Sequence, residues 1–166
     1  MTGAKANDMV RAMPLTEQDY MALALSEARA TADRQEVPVG AVVVDRESGD
    51  VVARNGNRTI ELADPTAHAE ILVIREACKK INNYRLVGCD IYVTLEPCGM
   101  CATAISLARF DRLIFAAGDE KGGAVIHGAR IFDHKTCHHR PDVSSGMKAG
   151  EAAQLLKDFF AARRSR

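Results

Sequence analysis

The sequence predicts an α/β fold in which a mixed, mainly parallel sheet is sandwiched by helices. Two observations carry the prediction. After an initial hairpin, apolar runs of strand length alternate with segments of helical periodicity. No internal repeat, low-complexity tract or Pro/Ser-rich linker divides the chain, so its 166 residues read as a loose extension over 1–14 and a single domain over 15–166. A chain of that length buries a core without disulfide staples, and 47% hydrophobic with 27% charged residues is a globular balance.

The elements follow in order. Thr16 is placed to cap a first helix, with Tyr20, Leu23, Ala24 and Ala28 at helical spacing to about Ala32. "VPVGAVVVD" reads as a buried strand and "GDVVARNGN" as a second. The turn from Glu47 to Asp50, which contains Gly49, joins them as an antiparallel hairpin. Pro65 and Thr66 mark the start of a helix over Ala67 to Lys80, with apolar positions at Ile71, Ile74, Ala77 and Cys78. "DIYVTLE" is a strand, Cys98 to Ala108 a helix of small residues, and "RLIFAAG" a further strand. Asp119 to Pro141 is rich in Gly and His and reads as loop with a short helix around His127 to Phe132. Gly150 to Arg164 forms the final helix.

Charge and cysteine content narrow the function classes. Lys+Arg and Asp+Glu both number 22, so any polyanion must be bound by a local cluster. Two such groups exist: Arg163, Arg164 and Arg166 at the C-terminus, and Lys79, Lys80 and Arg85. The N-terminal stretch carries Lys5 and Arg11 without an apolar core, and no run approaches a membrane span. A reducing, cytoplasmic location is therefore expected. There the five cysteines, Cys78, Cys89, Cys98, Cys101 and Cys137, read first as metal ligands or redox groups.

Cys98 and Cys101 are spaced i, i+3, which brings both sulfurs to one side of a helical turn, near enough for one tetrahedral ion. Pro97 fits a first helical turn, whose dipole favours thiolates. A redox C-x-x-C pair is the competing reading, although that motif normally follows the first strand of its fold, and this pair lies past mid-chain. A closed structural zinc site would need a further ligand pair, and the chain has no second C-x-x-C. Among His68, His127, His134, His138 and His139, only His68 sits beside a carboxylate at the start of a predicted helix. Cys137-His138-His139 is a competing cluster better suited to a surface turn.

Residues i and i+2 point about 200° apart around a helix, so His68 and Glu70 can address one ligand only if it lies over the helix's N-terminal end. Three protein ligands, His68, Cys98 and Cys101, leave the fourth zinc position for water, the mark of a catalytic site. Two thiolates make zinc a weaker activator of water than three histidines would. A general base is then needed, and Glu70 is the candidate. The blander role for Glu70, an acid stabilising a helix N-terminus by under about 1 kcal/mol, is compatible with it.

His68-Ala69-Glu70 with Pro97-Cys98-Gly99-Met100-Cys101 resembles the H-x-E…P-C-x-x-C signature of the zinc nucleobase deaminases. From about Met21 to the C-terminus the chain is similar to one branch, the bacterial tRNA-specific adenosine deaminases. The similarity lies in "EVPVGAVVV", "GNRTIELADPTAHAEI", "NYRLVGCDIYVTLEPCGMCATAI" and "LKDFFAARR". The resemblance implies a cytidine deaminase-like, three-layer α/β/α sandwich with a mixed five-stranded sheet. It implies one Zn2+ per chain on His68, Cys98 and Cys101, and a proton-shuttling Glu70. Asn57 and Ala69 would meet a flipped base, Asp119 and Lys121 the RNA near the pocket, and Phe160 and Arg163 the tRNA anticodon stem-loop. It also implies a homodimer. "GGAVIHGARIF" after Lys121 departs from the Gly-Ala-x-Gly-Ser pattern commoner in this branch, and Thr59 stands where Pro often follows "NR". The implied reaction is hydrolytic deamination of the wobble adenosine to inosine. Deamination of a free base or nucleoside such as guanine or cytosine, and zinc-dependent RNA binding without turnover, stand as alternatives.

Overall fold

The computed structural model describes residues 13–165. The extension expected over 1–14 therefore lies outside the described residues except for Met13 and Pro14, and Arg166 of the C-terminal basic group lies outside them as well. The chain runs α1 (Glu17–Asp33), β1 (Gly40–Asp45), β2 (Val51–Gly56), α2 (Ala69–Ile81), β3 (Cys89–Leu95), α3 (Gly99–Ala108) and β4 (Arg112–Ala117). A single 3-10 turn (Ile131–Asp133), β5 (Asp142–Ser145) and α4 (Ala149–Arg164) complete it.

The five strands form one sheet in the order β2-β1-β3-β4-β5. β1 pairs antiparallel with both β2 and β3, while β3 with β4 and β4 with β5 are parallel. The sheet is thus mixed and five-stranded, but evenly divided, not mainly parallel. The second antiparallel ladder arises because the connection from β2 through α2 returns the chain on the far side of β1. The expected helix around His127 to Phe132 shrinks to the 3-10 turn, and β5, which the apolar pattern does not announce, fills the edge.

Both faces of the sheet are covered, which is why the central strands read as unbroken apolar runs. Ala41, Val43, Ile91, Val93, Leu113 and Phe115 point to one side and pack with Val73 and Ala77 of α2 and Ala102 and Ile105 of α3. Val42, Val44, Tyr92 and Ile114 point to the other and pack with Tyr20, Met21, Ala24 and Leu25 of α1 and Ala152 of α4. Thr16 caps α1 in a reciprocal box with Asp19, satisfying two backbone donors. α1 crosses β1 at Gly40, where a Cβ would meet the Ala24 carbonyl oxygen, so the close approach of helix and sheet requires glycine. This packing fixes α2 and α3 side by side on one face with their N-termini at a common pocket.

Candidate metal centre and active site

α2 begins at Ala69, two residues later than the expected start at Ala67. Asp64 accepts hydrogen bonds from the Thr66 N–H and hydroxyl (2.8 and 2.7 Å), which keeps this segment in a turn and leaves His68 as the N-cap. Cys98 is the N-cap of α3. His68 Nδ1 lies 3.6 Å from Cys98 Sγ and 3.5 Å from Cys101 Sγ, and the three ligand atoms lie within 4.8 Å of one another. A tetrahedral zinc with Zn–N and Zn–S bonds of about 2.05 and 2.3 Å separates its N and S ligands by about 3.6 Å, so the donors already stand at the edge length of its coordination shell. The donor set and its spacing fit zinc. The site is end-on, over the first turns of two helices.

Glu70 is in the first turn of α2 and only 4% exposed. Burial pushes its carboxyl up from the ordinary carboxylate range, opposed by its backbone hydrogen bond and the neighbouring His68. A buried acid with a raised pKa beside a cluster of metal-type donors is suited to proton transfer. Within the thiol pair, the hydrogen bond from Cys101 and then that from His68 lower Cys98 to about 4. Cys101, the partner that donates, is pushed up by the same bond and by burial. His68 is raised, chiefly by its hydrogen bond to Cys98.

These groups open into a pocket of about 270 Å3 lined by Asn57, Thr59, His68, Glu70, Cys98 and Asp119, among others. Asn57 Oδ1 accepts from the Ala69 N–H at 2.8 Å, supplying the cap that His68 does not make. The Asn57 side-chain NH2 is then what it has to offer a ligand. Ala69 is fully buried with its N–H already engaged. Asp119 stands on the pocket wall, its Oδ1 accepting from the N–H groups of Lys121 and Gly122. Lys121 is exposed.

Phe160 and Arg163 lie away from the pocket lining. Phe160 is 42% exposed. Arg163 donates to the Gln35 carbonyl at 2.6 Å and stacks 4.5 Å from the Phe159 ring centroid, pinning the end of α4 to the loop after α1. In the second basic group, Lys80 is tied to the Val52 carbonyl and Glu76, and Arg85 lies over Tyr84. The Cys137-His138-His139 cluster lies elsewhere: Cys137 and His139 bond to Ser106 and to the Phe110 carbonyl beside a separate cavity. Among the described residues, His68, Cys98 and Cys101 are the one group of three converging metal donors.

Two buried acids escaped the sequence reading. Glu36 (2% exposed) accepts from the Ile60 and Glu61 N–H groups and the Thr59 hydroxyl, and so holds one wall of the pocket. Glu96 holds the loop that brings Asp119 to the pocket, receiving the N–H groups of Asp119, Val125 and His127 and the His127 ring. Their partners lie 23 to 31 residues away in sequence, so no local pattern announces them; the only signal is an acid next to an apolar strand end.

Comparisons with known proteins agree with this geometry. The family model of the MafB19-like deaminases matches residues 15–164. The tRNA-specific adenosine deaminase of Agrobacterium fabrum is 57% identical over 145 residues, 87% of this chain and 94% of its own length. A solved structure from work on A-to-I editing by tRNA:A34 deaminases at the wobble position superposes with a TM-score of 0.80 at 58% identity, covering 82% of this chain and 98% of that one. A guanine deaminase from Nitrosomonas europaea superposes with a TM-score of 0.77 at 24% identity, over 88% of this chain and 85% of that one, a likeness of fold alone. With the fold, the converging donors and this degree of identity taken together, the chain belongs to the MafB19-like deaminases and, within them, to the tRNA-specific adenosine deaminase family.

Proposed function

We propose that this protein hydrolytically deaminates adenosine to inosine at the wobble position of a tRNA anticodon, with His68, Cys98 and Cys101 holding one Zn2+ and Glu70 moving the protons. The observation that carries it is a buried acid, Glu70, sharing one pocket with a zinc-type donor set in a chain 57% identical to a tRNA-specific adenosine deaminase. Zinc bound there supplies Lewis-acid activation of a water molecule.

The chain's own groups account for the rest. Glu70 accepts a proton from the attacking water and delivers it to N1 of adenine, so that the C6 carbon becomes electrophilic as the water oxygen bonds to it. Glu70 then passes the second proton to the amine, the C6–N bond breaks, and ammonia leaves. Water and adenosine become inosine and ammonia. Asn57 presents its NH2 to the base, and Ala69 acts through Asn57, whose oxygen its N–H fixes. A stacked loop base is out of reach of a buried centre, so the nucleotide must be splayed into the pocket. Asp119 and Lys121 at the rim, and Phe160 and Arg163 on α4, meet the anticodon stem-loop. The protein works as a homodimer in the cytoplasm. No described helix is long and apolar enough to cross a membrane.

The test is inosine mapping at the wobble position after incubation with candidate tRNAs, alongside ammonia release from an adenosine-bearing anticodon stem-loop, free guanine, cytosine and adenosine. Turnover of the RNA is the expected result. Turnover of a free base with none on RNA overturns the reading.

A further inference from the structure

The side chain of Glu96, two residues before Cys98, has no solvent exposure and receives every one of its hydrogen bonds from a single loop. The Asp119 N–H and the His127 ring Nδ1 reach Oε1 at 3.2 and 2.7 Å, and the Val125 and His127 N–H groups each reach Oε2 at 3.2 Å. With Glu96 acceptor-only as a carboxylate, Nδ1 is the ring's donor. The same loop is tied again at the next residue, where the Ala124 N–H donates to the Pro97 carbonyl at 2.9 Å. A Cβ on Gly123 would meet the Glu96 carboxylate and the Asp119 carbonyl oxygen, so the loop lies directly on the acid with no side chain between.

This loop carries Asp119 and Gly122, which wall the pocket, and Lys121 beside them. Its anchor, Glu96-Pro97, runs straight into the ligand Cys98. The stretch that departs from the commoner family pattern is the stretch that contains His127, and here the histidine ring makes the shortest bond to the anchor.

We propose that Glu96 is a positioning residue for the reaction and His127 its latch: together they lock the loop from Asp119 to His127 against the metal-ligand segment and set where Asp119 meets the RNA substrate. The inference rests on the RNA substrate proposed above. A locked loop is ordered before the substrate arrives, so its loss is felt in binding more than in chemistry.

The experiment compares wild type, His127→Ala, His127→Asn and Glu96→Gln. Asn can put an NH2 donor where Nδ1 stands, whereas Ala cannot. His127→Ala is expected to raise KM for an adenosine-bearing stem-loop about tenfold, the effect of one lost hydrogen bond to a charged acceptor, with kcat within about twofold. Its zinc content is expected to stay at the wild-type level, and amide hydrogen exchange at Asp119, Val125 and His127 to quicken. His127→Asn should restore both KM and exchange protection, and Glu96→Gln should speed exchange at all three amides. Unchanged exchange in His127→Ala, or a fall in kcat that tracks lost zinc with KM unmoved, overturns the proposal. If wild type fails to deaminate RNA, the substrate reading falls, while exchange still decides whether the latch exists.

Discussion

His68 and Cys98 hold the same station in their two helices. Each is an N-cap in extended backbone, at φ −73, ψ 152 and φ −71, ψ 175, and neither turns its side chain back to cap its own helix. Positions that usually carry Ser, Thr, Asp or Asn for stability are given to zinc-type donors instead. Both side chains are thereby released toward a shared point 3.6 Å apart.

That exchange predicts a variant that is better folded and empty of metal. Cys98→Ser places a good capping residue at the head of α3, a gain of about 0.5–2 kcal/mol in the zinc-depleted protein. It also removes one of the three proposed zinc ligands. Thermal unfolding of the zinc-depleted forms should show the variant equal to or above wild type, while the zinc-to-protein ratio after purification falls well below one. A variant that keeps its zinc contradicts the ligand assignment.

Glu70→Gln keeps the shape of the side chain and removes the proposed base. Inosine formation should fall by at least about a hundredfold, the scale of a lost general acid–base group. Zinc content should not change. Single-turnover kinetics with metal analysis on the same samples separate loss of the base from loss of the ion.

The same substitution should stabilise the zinc-depleted protein once the pH exceeds the folded pKa of Glu70. Burial raises the Glu70 pKa in the fold above its value in the unfolded chain. The neutral acid is therefore the form the fold prefers. Its contribution is complete below the unfolded pKa and is lost as pH rises through the folded pKa. Above the folded pKa the wild type carries a buried charge that Gln lacks, so there zinc-depleted Glu70→Gln should melt higher, by about 2–4 °C for each kcal/mol relieved. The gap should close as pH falls through the folded pKa toward the unfolded one. A gap that widens on acidification would mean that the carboxylate is stabilised in the fold.

Gly40→Ala should destabilise without touching the chemistry. The new methyl would press on the Ala24 carbonyl oxygen and the Ala28 N–H where α1 crosses β1. Overpacking of this kind costs about 1–3 kcal/mol. The melting temperature should drop, and kcat of the surviving folded fraction should match wild type.

Much of this was legible in the sequence. The spacing of Cys98 and Cys101, the His68 to Glu70 interval and the unbroken apolar runs of β1, β3 and β4 announce the site's skeleton and the covered sheet. β5 stayed hidden because Asp142, Val143, Ser144 and Ser145 are all exposed and carry no buried-strand signal; only the family resemblance implied a fifth strand. The parallel character was overestimated because alternating strands and helices do not reveal on which side of β1 the chain returns. Glu36 and Glu96 stayed hidden because a buried acid is explained by its partners, and theirs are distant loop amides.

The two tied-down loops have one more consequence. The converging donors and Glu70 sit on helix ends fixed by the sheet, whereas the pocket walls around Thr59 and around Asp119 and Gly122 hang on separate loops, each fastened by its own acid. Such a protein can change its diet without relearning its chemistry. Drift in a fastened loop would alter what the pocket admits while the donor cluster on the helix ends stays in place.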